Sequence, residues 1–200
     1  MKTCEYAGVP FTEPRSHPWL GAEMDPDSRY YDLTASPEHI RRSLEDFRVW
    51  SHYPAIEAFY GLLERLNYPK SALESNDCAF TGPEQNENAA VEQPLECSGR
   101  LMILFRALER NTVEGNVRKL EYELHHDLAG IDPSFRWGMI GTTVVPVRYL
   151  ALPERDDQQL GTQLMVSFWA WSDTEANTMR NLGRLFGNLS HALRAASARH

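Results

Sequence analysis

The chain has 200 residues, 42% of them hydrophobic, with a formal net charge of −8. That length and apolar share suit a single globular domain with its own core, or one domain with an arm. The acidic balance argues against non-specific nucleic-acid binding, and no stretch approaches the roughly 18 consecutive apolar residues of a membrane span. Residues 1–96 hold 17 acids against 8 bases, and the remainder holds 11 against 12. A basic partner would be steered towards the N-terminal half, although acids also simply keep a protein soluble. Cys4, Cys78 and Cys97 do not make a disulfide framework. With no apolar export signal near Met1, the expectation is a reducing cytoplasm.

Residues 1–35 place Pro10, Pro14, Pro18 and Pro26 among scattered aromatics with no helical or strand period. They read as an extended arm, with residues 36–200 as one α+β domain. The arm's aromatics suggest that it packs on the body or on a partner. Ser36-Pro37-Glu38 is a helix start, with Ile40, Leu44 and Phe47 as its apolar stripe. Pro54 opens a second helix carrying Ile56, Phe59, Tyr60, Leu63 and Leu66 at helical spacing. Together they predict a helical pair.

Ser75 to Phe80 reads as a short strand, and the polar 82–96 stretch as a long loop. The apolar run from Gly99 to Arg106 fits a strand or a helix by periodicity, and the strand is favoured because a clear helix follows soon after. That helix spans about Val113 to Leu128, with Thr112 able to cap it. The strongest hairpin signal lies from Phe135 to Trp171, where two β-branched and aromatic runs flank a polar loop at 153–159. Pro146 cannot donate to a ladder, so it marks an edge, a bulge or a strand end. The last helix is capped by Ser172 or Asp173, and its Gly183 and Gly187 would allow close packing on the sheet.

The predicted fold is therefore α+β. It has a mainly antiparallel sheet of about four strands, helices on one face, an N-terminal arm and a helical pair. Residues 74–128 and 135–196 both read strand–strand–helix, with the openings Val113-Glu114-Gly115-Asn116 and Thr174-Glu175-Ala176-Asn177 alike, which makes an internal duplication one reading.

Three groups of residues carry candidate chemistry. Trp137, Tyr149, Trp169 and Trp171, with Arg136 and Arg148 beside them, are expected to group near one sheet face as a ligand or partner site. Glu121 and His125 stand four apart on one helix face and could share a metal with a third ligand such as His52 or His191; a solvated polar helix face is the plainer reading. Asp77-Cys78 could hold an activated thiol, against the plainer reading of a small buried hydrophobe. There is no His-Glu-x-x-His, no Cys-x-x-Cys and no glycine-rich phosphate loop. These features favour a non-catalytic binding protein that engages a protein or peptide partner, an inhibitor or immunity-type protein among them. It would use the aromatic sheet region and the acidic N-terminal half. The alternative is a small-molecule-binding domain or minor enzyme with an aromatic pocket between sheet and helices. Neither reading names a cofactor or an oligomeric state, and a homo-oligomer built on the sheet edge near Pro146 or on the last helix is a third.

Overall fold

The computed structural model describes residues 1–5, 14–19, 30–42, 45–153 and 159–200, without the side chains of residues 45 and 46. Tyr6 and Phe11 of the arm, Leu44 and most of the 153–159 loop lie outside these residues. The element order is β1 (Lys2–Glu5), β2 (Arg15–His17), α1 (His39–Arg42), α2 (Pro54–Leu66), β3 (Leu73–Phe80), β4 (Glu84–Gln85), β5 (Leu95–Phe105), α3 (Glu114–Ile131), β6 (Gly138–Tyr149), β7 (Leu160–Ser172) and α4 (Glu175–Arg199). Short 3-10 segments lie at Glu45–Trp50 and Leu108–Thr112.

The protein is α+β, with a seven-stranded mixed sheet rather than an antiparallel sheet of about four strands. The spatial order is β1-β6-β7-β5-β3, with β2 also on β6 and β4 also on β5. The extra strands come from two stretches without a strand-like period. β1 and β2 of the arm pair with β6 in parallel, and β4 of the 82–96 loop pairs with β5. Backbone pairing fixes such short strands, so no apolar alternation announces them. Pro146 falls between the β1 register, which ends at Thr142, and the β2 register, which begins at Val147. A residue without an N–H is tolerated at that break.

Alternation along the strands makes two different faces. On the covered face, Leu101, Ile103, Phe105, Ile140, Leu164, Val166 and Phe168 join α2, α3 and α4 in one cluster. From the helices it takes Phe59, Leu63, Leu120, Leu124, Leu182, Phe186 and Leu189, all essentially unexposed. Among the described residues, the second face has two small clusters. One contains Met102, Val145 and Met165; the other contains Leu104, Val147, Tyr149 and Leu152.

The sheet curls around that second face. β2 and β3 are four strand spacings apart, about 19 Å in a flat sheet. Yet Arg15 Nη1 of β2 lies 2.9 Å from Asp77 Oδ2 of β3, and Trp19 Nε1 donates to Asn76 O at 2.9 Å. The bend is concentrated at Asn76, the residue left over where the β3–β5 register shifts. Further along the same ladder, Gly99 opposite Phe80 permits a close approach, since a Cβ there would lie 2.4 Å from Ala79 O and 2.7 Å from Phe168 Cζ.

Local details correct several sequence expectations. The helix expected from Ser36 shortens to α1 and a 3-10 segment. Thr174, not Ser172 or Asp173, caps α4 by accepting from Asn177 N; Asp173 Oδ1 accepts from the Asn177 side chain instead. Thr112 caps nothing: its hydroxyl donates to Glu109 O, and α3 starts after Val113 without a side-chain cap. Gly183 faces Ala55 of α2 rather than the sheet, and a Cβ on Gly187 would meet nothing within 4 Å.

Candidate functional site

The registers place each candidate residue. Trp169 and Trp171 alternate with Phe168 and Ala170 and so point to the second face, together with Tyr149 of β6. They do not form one group. Trp169 pairs with Met139, ten residues along β6 from Tyr149, which is about 34 Å at strand rise. A single pocket lined by Trp137, Tyr149, Trp169 and Trp171 is therefore not assembled. Tyr149 is fully buried, and its hydroxyl donates to Thr162 O at 2.8 Å. Trp137 is 43% exposed, Trp169 is half-buried and Trp171 is buried. Arg136 and Arg148 are both exposed, one near each end of β6.

The end of the second face that holds the tryptophans is built from rows across the strands. One row runs Glu84, Glu96, Trp171 across β4, β5 and β7. The next runs Ser98, Trp169, Met139, Lys2 across β5, β7, β6 and β1. Trp171 Nε1 donates to Glu96 Oε2 at 2.6 Å, so one carboxylate is fixed against an indole edge. Glu84 stands directly opposite Glu96, a like-charge pair that weakens a ladder. The intervening loop adds Glu87 and Glu92 and no Lys or Arg. Glu175, at the start of α4, accepts from the Tyr53 hydroxyl close by. The Cys97 thiol registers this field: burial pushes it up to about 12, helped by Glu84, Glu96 and Glu175.

The opposite end of the face is closed by a polar network. Asn76 Nδ2 donates to His17 Nδ1 at 3.1 Å and to Gln163 Oε1 at 2.9 Å. With Nδ1 accepting, the proton sits on Nε2, which faces Glu74 Oε1 at 3.6 Å. Burial depresses the His17 pKa to about 4 against a raising pull from Asp32, and burial raises Glu74. Burial also pushes the Tyr30 and Tyr149 hydroxyls well above their ordinary value. Nothing in the sequence pattern marked His17, Asn76 or Gln163, because they are brought together only when the arm closes on β3.

Glu121 and His125 do meet, through the hydroxyl of a β6 residue. The Thr142 hydroxyl donates to Glu121 Oε1 at 2.7 Å and lies 2.7 Å from His125 Nε2, which donates to it. Thr142 is 1% exposed, so this hydroxyl is a buried junction between α3 and the sheet rather than an accessible nucleophile. His52 and His191 are exposed elsewhere, and among the described residues no three His, Cys, Asp or Glu side chains converge as metal ligands. Asp77 is held by Arg15 and Arg100 at 2.9 and 3.2 Å. Burial, with a further push from Asp77, raises the Cys78 thiol to about 12, the reverse of what a nucleophilic cysteine needs.

In the layer between sheet and helices, where an aromatic pocket was one expectation, the Phe186 ring packs against both Phe59 and Phe168. No helix is long and apolar enough to cross a membrane among the described residues. Scanned against protein-family models, curated proteins and solved structures, the chain finds no match. The class defined here is an α+β protein whose sheet is covered on one face by helices and curled around the other.

Proposed function

We propose that this is a non-catalytic binding protein that docks a basic protein or peptide on the acidic, aromatic end of its second sheet face. The observation that supports the reading most is the Glu84–Glu96–Trp171 row lying directly beside Ser98–Trp169–Met139. Opposed carboxylates raise the free energy of the unbound surface, and a partner's Lys or Arg would relieve them. The half-buried Trp169 indole supplies the rigid aromatic contact that protein interfaces use, and the buried Trp171 indole holds Glu96 in place. An inhibitor or immunity-type role suits such a charge layout. A reducing compartment suits the three cysteines, which are all free thiols.

The test is affinity capture from native lysate with the wild-type protein and with a Glu84→Lys/Trp169→Ser variant. The expected result is a basic partner at one-to-one stoichiometry that associates more slowly as salt rises and is lost with the variant. Equal capture by both proteins, or a salt-independent rate, overturns the assignment of this surface.

A further inference from the structure

α2 and α4 pack closely where Gly183 meets Ala55. Gly183 of α4 packs so close to α2 that a Cβ there would lie 3.3 Å from Ala55 Cα. Two turns further along both helices lies a cleft of about 330 Å³. That is within the range of small-molecule sites, about 300–1,000 Å³.

The lining of the cleft has three parts. Its floor is apolar, formed by the buried side chains of Leu62, Leu66 and Leu193. Its rim carries Arg65, Lys70 and Arg194, and no carboxylate lines it among the described residues. Each of these three cations is exposed, in a chain of net charge −8. The third part is Ser190, which is 7% exposed and whose Oγ has no hydrogen-bond partner. By contrast, the Ser71 and Ser197 hydroxyls in the same cleft are satisfied by each other and by the Leu73 and Ala72 amides. A buried hydroxyl without a partner is costly, and a polar ligand atom would satisfy it.

We infer that this cleft binds a small amphiphilic carboxylate, a hydrocarbon or aromatic acid with one anionic head. The body would lie on the three leucines, the head would face Arg65, Lys70 and Arg194, and the Ser190 hydroxyl would donate to a carboxylate oxygen. Tyr68, exposed at the rim, adds an aromatic edge to the entrance. This site lies among the helices, on the covered side of the sheet, and is separate from the docking surface proposed above.

Decanoate, below its micellar concentration, is the probe. It is titrated into the full chain and followed by amide chemical shifts, with decanol and inorganic phosphate in parallel titrations. The expected result is saturable shifts confined to residues around Leu62–Ser71 and Ser190–Ala198 with decanoate, and much weaker binding of the other two. Arg65→Glu/Arg194→Glu is expected to weaken decanoate by roughly tenfold while the rest of the spectrum is preserved. Ser190→Ala is expected to weaken it by roughly threefold to tenfold. Absent shifts, decanol binding equal to decanoate, or phosphate binding equally well without a hydrocarbon body would each overturn the inference.

Discussion

The two faces of one sheet are stabilised in different ways. On the covered face, Phe168 sits between Phe80 and Phe186 at ring-centroid distances of 6.5 and 5.1 Å, within the main apolar cluster. On the second face, Ser167 and Trp169 flank Phe168 along β7, and no helix of the described residues joins the clusters there. That face closes at one end through the arm, using His17, Asn76 and Gln163, and at the other end presents carboxylates and indoles. A hydrophobic layer tolerates little besides close packing. A polar closure instead ties the fold to protonation.

Three measurements would break or sharpen this comparison. The largest effect is expected on the covered face. Phe168→Ala should destabilise by about 3–5 kcal/mol, read as a lower denaturant midpoint with an unchanged slope. A loss below about 1 kcal/mol would mean that the helices do not depend on this ring.

The next effect belongs to the closed end. His17 has a folded pKa of about 4, below its ordinary 6.5, so the unfolded chain binds the proton more readily between those values. Stability should therefore fall as pH drops from about 6.5 to about 4, by up to about 3 kcal/mol from this residue. Glu74 works against it: its raised pKa favours the folded state when protonated, so its own contribution weakens as pH rises through that range. His17→Gln should flatten the acid limb of a stability-versus-pH curve. An unchanged limb would show that the arm does not hold this histidine buried in solution.

The smallest effect lies at the open end. Glu84→Gln removes one of two opposed charges and should leave stability equal or raise it by about 0.2–1 kcal/mol in thermal melts at low salt. A clear loss would mean that the carboxylate is structurally required there, which would weaken its assignment to partner recognition.

The amino-acid sequence by itself determined the local elements whose apolar period is strong. The β6–β7 hairpin, the helix after Val113 and the C-terminal helix follow from spacing, because burial of one face is written into which residues recur; the run from Gly99 fitted a strand or a helix by period, and its ladders with β3 and β7 make it a strand over Leu95–Phe105. The sequence also placed Trp169 and Trp171 on the same face of one strand. The tertiary structure alone decided the rest. β1, β2 and β4 exist because their backbones find a free ladder edge, and such pairing leaves no side-chain signature in two to four residues. His17, Asn76 and Gln163 stand 59 and 87 positions apart along the chain and meet only because the sheet curls. Glu121 and His125 were legible as a pair, but their shared partner, Thr142, belongs to a strand that only the fold brings beneath them. The cleft at Ser190 depends on how two helices pack, a relation between elements that no local pattern encodes.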